Sequence, residues 1–307
     1  MEKGPLSERY LDNALLLNLK KSEKVSMSPG IGSDYSETEG IVTADGFGES
    51  IEVAFIKALS NFYCSLSEPV GIRALFMLPE STRQSNIKAY MDTLNTMAKE
   101  RDLLLLGGHS QVLADIREPK FYITVIGREG SFRVNKKEIA TGDQIVMLGY
   151  TGMLGTNNLC KDSLAKLKER FNQTYIDSAR FSINDLSGFK IFASLKEEGL
   201  IEYVHDGSTS GVYGALWQLG RFIDRGIYID NKKIPIKQET VEICDYLDLN
   251  PYLIDATGTF LVLTKSGKKL CEMCKGLIEA SVIGYVAESK ERLVKLSDSD
   301  IRTLSPT

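Results

Sequence analysis

Four glycine-rich segments carry the polar side chains best suited to chemistry. They are Gly30-Ile31-Gly32-Ser33-Asp34, Thr43-Ala44-Asp45-Gly46, Gly107-Gly108-His109-Ser110 and His205-Asp206-Gly207-Ser208-Thr209-Ser210-Gly211. In folds that mix strands and helices, strand ends and the glycine turns after them are where a ligand's polar groups reach the backbone. Asp34, Asp45 and Asp206 supply carboxylates from three of these segments, and carboxylate oxygen is the donor that magnesium prefers when it bridges phosphates. The chain's two histidines, His109 and His205, both fall at expected strand ends. The same residues also suit plain turn chemistry. Asp-Gly pairs turn chains everywhere, and Asp206 with Ser208 to Ser210 is placed to cap the next helix. Spacing alone leaves both readings standing. No phosphate-binding P-loop pattern occurs, and GIGSD lacks the third glycine of a dinucleotide fingerprint.

These segments need a scaffold, and 307 residues suffice for two domains. A hydrophobic fraction of 43% with 25% charged residues is ordinary for a globular chain, and a net charge of -4 gives no electrostatic reason to expect nucleic acid or an anionic membrane. The N-terminal stretch has acids inside its apolar run and no small-residue cleavage site, so a cytoplasmic location is expected. Five cysteines, Cys64, Cys160, Cys244, Cys271 and Cys274, are odd in number and scattered, which argues for reduced thiols. Cys271 and Cys274 form a CxxC without a second cysteine or histidine pair, and the spacing reads as a helix after a strand rather than a zinc site.

Hydrophobic periodicity predicts a helix over 6–19, then an irregular polar stretch over 22–40. A strand follows at 41–44, a helix at 49–66, a strand at 70–78, a helix at 84–100, and strands at 103–106 and 121–127. The first of those last two is expected to stop at Gly107-Gly108. A turn-rich charged stretch over 128–143 places the boundary between domains 1–137 and 138–307. In the second, strands are expected at 144–149, 201–205, 227–229, 259–264, 281–287 and 292–296, and helices at 155–170, 188–199, 210–222 and 238–247. Two α+β domains result.

Taken together, the segments resemble the aminoimidazole ribonucleotide synthetase (PurM-like) superfamily, which includes thiamine-monophosphate kinase, selenophosphate synthetase and the hydrogenase-maturation protein HypE. GIGSD resembles its GxGxD loop, TADG its STD strand end, ALSNFYCSLSEPVG its AxNDLAAMGAxPVG segment, and GGHS its GGDT turn. TGDQIVMLGYTGMLGT, HDGSTSGVYGALWQLG and KIPIKQETVEICDYLDLNPYLIDATGTFLVL follow, in family order, the corresponding stretches of HypE-like proteins.

The resemblance implies an N-terminal domain that pairs with its twin into a β-barrel homodimer, a C-terminal α+β domain, and ATP with magnesium held between them. By position it implies Asp34, Asp45 and Asp206 as metal ligands, Gly30, Gly32 and Asn61 as nucleotide contacts, and His109 as the catalytic candidate. It also shows departures. Phe62, His109, Thr209 and Ser210 replace the family's aspartate, aspartate, glutamate and glycine, so weakened metal–nucleotide affinity is expected. The final residues DSDIRTLSPT lack the cysteine that ends the HypE tail, so the hydrogenase dehydratase reaction is not expected. The resulting expectation is a HypE-like, ATP- and magnesium-binding protein acting on a small molecule or a partner protein. The alternative is a non-catalytic dimeric binding or regulatory relative, with a purely structural assembly protein as a third reading.

Overall fold

The computed structural model describes residues 11, 14, 16, 22, 24–28, 30–207 and 209–305. Apart from residues 11, 14 and 16, the helix expected over 6–19 lies outside the described residues, as does Ser208. The chain forms two compact units, one built on Asp34–Phe132 with Lys21–Ser28, the other on Arg133–Thr307 with Pro29–Ser33. The mixed α+β class expected for the chain is what it adopts, with one sheet in each unit.

In the first unit the strands are β1 (Val25–Met27), β2 (Ser36–Thr38), β3 (Ile41–Gly48), β4 (Glu68–Pro79), β5 (Leu104–Leu113) and β6 (Lys120–Arg128). They form one sheet in the order β1-β2-β3-β6-β4-β5. Neighbours run antiparallel except β4 and β5, which are parallel and joined through a helix as parallel strands require. Helices α1 (Ile51–Tyr63) and α2 (Gln84–Lys99) belong to this unit.

The N-cap of α1 is Ser50, whose hydroxyl accepts from the Val53 amide at 3.3 Å. The helix lies on β3 so closely that a Cβ at Gly46 would collide with the Ala54 carbonyl and the Ala58 amide. Ala54 and Ala58, four apart, are the small residues that allow this approach. Phe55 and Phe62 on α1 are fully buried, each contributing about 2–3 kcal/mol by leaving water.

β3 and β6 alternate, Val42, Ala44, Phe121, Ile123 and Val125 pointing inward and Ile41, Asp45, Phe47 and Tyr122 outward. The outward face keeps large apolar groups exposed, Phe47 at 48% and Ile41 at 50%. β5, at the sheet's edge, exposes Leu104 at 60% and Val112 at 57%.

Three expectations are corrected here. The strand expected to stop at Gly107-Gly108 runs on to Leu113. Gly107, with φ +123, absorbs a bulge against β4, and the missing Cβ of Gly108 leaves room for the Ala74 carbonyl. Likewise Asp45-Gly46 is not a turn but the middle of β3. β1 and β2 also lie in the stretch expected to be irregular.

The second unit has a sheet in the order β13-β12-β9-β11-β7-β10-β8. The strands are β7 (Gln144–Leu148), β8 (Tyr203–Asp206), β9 (Gly226–Asp230), β10 (Phe260–Thr264), β11 (Ala280–Ala287), β12 (Arg292–Ser297) and β13 (Asp300–Thr303). β10 is buried at every position, and β7 at all but its first, as interior strands covered on both faces should be.

The helix expected at 155–170 is two pieces, α3 (Met153–Asp162) and α4 (Leu164–Leu167), separated at Ser163 with φ -107 and ψ 17. After α5 (Gln173–Ser178), the one expected at 188–199 is a 3-10 turn over Asp185–Ile191 followed by α6 (Phe192–Glu197), Ser187 having left helical geometry. α7 (Gly211–Phe222), α8 (Gln238–Tyr246) and α9 (Gly267–Cys274) are the unit's remaining α-helices among the described residues.

Candidate functional site

Asp45 is the most developed polar centre of the first unit. The β3–β6 register sets it opposite Thr124, whose hydroxyl donates to the Asp45 carboxylate at 2.6 Å. Asn61, near the end of α1, donates its side-chain amide to the Asp45 backbone carbonyl at 2.8 Å. Two of the residues singled out from sequence thus meet. Tyr122 stands beside them on β6; burial first, and then the Asp45 charge and hydrogen bond, push its phenol up to about 12. An exposed carboxylate held by a hydroxyl and surrounded by hydrogen-bonding side chains is preorganised to accept a cation or a donor from solvent.

The Gly30–Ser33 turn is built into the second unit. Ser33 donates its amide to the Gly30 carbonyl at 3.1 Å, and its hydroxyl accepts from the Gly30 amide at 2.7 Å. Tyr203, fully buried on β8, donates its hydroxyl to the Gly32 carbonyl at 2.6 Å. Gly32 has φ +79, and a Cβ there would lie 2.7 Å from the Gln218 carbonyl oxygen and 2.9 Å from Phe222 Cβ on α7. The loop's glycine is therefore required both by backbone angle and by space.

Asp34 follows directly, half-buried, and belongs to the first unit. Asp206 ends β8 in the second unit and is buried at 5% exposure. After it, Gly207 donates to the Thr259 carbonyl at 2.7 Å. His205 is buried, its Nε2 3.2 Å from Gln218 Oε1, and stacked at 6.3 Å on Tyr203, so it is a packed, hydrogen-bonded core residue.

His109 is exposed in mid-β5, opposite Leu75 on β4, and not at a strand end as its glycines suggested. Phe62 is fully buried, its ring against Gly127. That position belongs to the core of this chain. Among the described residues, no three His, Cys, Asp or Glu side chains gather into a metal cage. Thr124 and Tyr122 escaped sequence reasoning. Strand alternation puts them on the outward face, but only the β3–β6 register places them beside Asp45.

No family model matches the chain. Among curated proteins it is 23% identical to one from Methanocaldococcus jannaschii named for hydrogenase expression/formation, over 95% of this chain and 90% of that protein. The carbamoyl dehydratase HypE of Bradyrhizobium diazoefficiens is 20% identical, over 74% of this chain and 65% of that protein. Among solved structures, HypE in its complex with HypF superposes with a TM-score of 0.77 at 17% identity, covering 90% of this chain and 94% of that one. The chain is HypE-like and has the fold of the aminoimidazole ribonucleotide synthetase superfamily. A HypE solved with ATP superposes at 0.72 and 14% identity, covering 97% of this HypE-like chain and 91% of the other. The Methanocaldococcus jannaschii protein and the two solved HypE structures match nine tenths or more of the chain. No helix of the described residues is long and apolar enough to cross a membrane.

Proposed function

We propose that this HypE-like chain binds ATP together with magnesium, and acts as a homodimer on a small molecule or a partner protein. The observation that carries the reading is Asp45, an exposed carboxylate fixed by Thr124 and set on the TADG strand. Its likeness to a HypE crystallised with ATP points the same way.

The donor set fits the group. Magnesium takes oxygen ligands, keeps several waters and is held by one or two carboxylates plus phosphate oxygens rather than by an all-protein cage. Among the described residues no three such side chains gather, so the reading rests on Asp45, the carboxylate fixed by Thr124. Asp45, with Asp34 of the same unit, would hold the metal, and Asn61 fixes the Asp45 backbone from behind. In the Gly30–Ser33 turn the Gly30 and Ser33 amides bond within the turn, so the Ile31 and Gly32 amides are the ones that would meet phosphate. When bound, the metal would neutralise phosphate charge and polarise the bond that breaks. His109, exposed on the outward sheet face, is the candidate for moving a proton.

A second reading has its own observation. Phe62 is core, so the ligand that the family places there is absent, and a relative that binds nucleotide without turnover fits this equally. The HypE of the HypF complex assembles with another protein, and a partner protein is the corresponding candidate for this chain.

Calorimetric titration with ATP, with and without magnesium, tests the binding. Magnesium-dependent binding is expected, and Asp45→Asn should weaken it by about tenfold or more, the value of one charge-assisted contact. Equal affinity with and without magnesium, or an unchanged Asp45→Asn variant, would sink the assignment. Phosphate release then separates the enzyme from the non-catalytic reading.

A further inference from the structure

The second unit contains a pocket of about 640 Å³ that none of the glycine-rich segments lines. It opens at Gly149, just after β7, and at Glu279, just before β11. That volume suits a small organic ligand.

Its walls combine two kinds of group. Tyr150 and the buried Phe181 present rings 6.1 Å apart and tilted by 41°, and Leu277, 72% exposed, stands at the pocket as an uncovered apolar side chain. Two ammonium groups face the same space. Lys237, half-buried, holds its Nζ 4.1 Å from the centre of the Phe181 ring, and Lys190 donates to Asn184 Oδ1 at 3.2 Å. Neither forms an ion pair with a described residue. Other lysines of this unit do: Lys265 with Glu202, Lys269 with Glu198, Lys290 with Asp224 and Lys295 with Asp298.

The carboxylates on the wall are already engaged. Asp185 accepts from the Ser182 amide at 2.7 Å and the Ser182 hydroxyl at 2.8 Å, and Glu279 accepts from the Tyr150 hydroxyl at 3.4 Å. Burial, then the nearby Glu279 charge, raises the Tyr150 phenol, so this hydroxyl keeps its proton and its bond to Glu279 at neutral pH. Cationic groups without counter-ions beside aromatic and aliphatic surface match a ligand with a negative head and a flat or apolar body.

We propose that this pocket binds a small organic anion, a carboxylate or phosphate monoester on an aromatic or aliphatic body. Lys237 and Lys190 take the charge, and Phe181, Tyr150 and Leu277 cover the body. The site shares no residue with the nucleotide assignment and does not depend on it.

Calorimetry with phenyl phosphate and benzoate as probes tests the proposal, inorganic phosphate serving as the headgroup alone. At least one organic probe should bind saturably to the wild-type protein in the millimolar range or tighter, about 4 kcal/mol or more, and inorganic phosphate at least about tenfold more weakly. Lys237→Met should weaken probe binding by about tenfold or more while the melting temperature is kept, and Phe181→Leu should weaken the aromatic probes further than phosphate. Asp45→Asn should leave probe binding unchanged. Absence of saturable binding by either probe, survival of binding in Lys237→Met, or displacement of the probe by magnesium-ATP would each overturn the proposal.

Discussion

At the scale of single residues, the chain uses the same side chains for packing and for polarity, and only contacts separate the two. His205 looked as eligible as His109, yet it stacks on Tyr203 and reaches Gln218, which occupies it structurally. Gly46 follows an aspartate and reads as a turn, but its purpose is the close approach of α1. Gly32 is required twice over, by φ +79 and by Gln218 and Phe222 beneath it. Gly32→Ala is therefore expected to destabilise the protein by about 1–3 kcal/mol, the cost of a strained backbone combined with overpacking. Urea unfolding reads this directly, and an unchanged midpoint would show that the loop is not seated on α7.

At the scale of elements, local periodicity located most strands and helices but misplaced their ends wherever a long-range partner decides. The glycines of β5 looked like a stop because their local cost in a strand is real. Pairing with β4 outweighs that cost and carries the strand to Leu113.

The CxxC element is the opposite case, where local context did locate a helix after a strand. Cys271 and Cys274 lie three apart on α9, with Cys274 fully buried; burial, then the neighbouring Cys271, pushes its thiol up to about 11. Against a thiol of ordinary pKa near 9, thiolate at pH 8 should be about a hundredfold scarcer. Iodoacetamide should accordingly modify Cys274 at pH 8 only after denaturation, as read by peptide mass spectrometry; rapid labelling of the native protein would contradict the burial. The sign for stability follows. The raised folded-state value leaves this contribution intact below pH 9, and it is lost as pH rises toward about 11.

At the scale of the whole molecule, the first unit's sheet is covered by helices on one face and carries Ile41, Phe47, Leu104 and Val112 exposed elsewhere. The open edge strand β5, with Leu104 and Val112 exposed, is a pairing surface, and a second copy of the chain is the partner that the homodimer proposal assigns to it. Light scattering should then give twice the chain's 34.1 kDa. Leu104→Lys with Val112→Lys, two exposed positions with little to lose in the folded monomer, should halve that mass without lowering helix or strand content. A monomeric wild type, or a variant that still dimerises, would move the interface elsewhere.

The sequence by itself determined the α+β class and the family resemblance, because periodicity and the order of short glycine-rich segments are local properties of the chain. It also nominated Asp34, Asp45 and Asp206. Tertiary structure alone decided that Asn61 and Thr124 converge on Asp45, that Phe62 is core, and that Gly30–Ser33 sits against α7 and β8. The pocket of Tyr150, Phe181, Lys190 and Lys237 left no motif either, its residues being scattered through the second unit. The physical reason is shared: strand register and helix packing bring together groups far apart in the chain, and no local pattern records which face another element will cover.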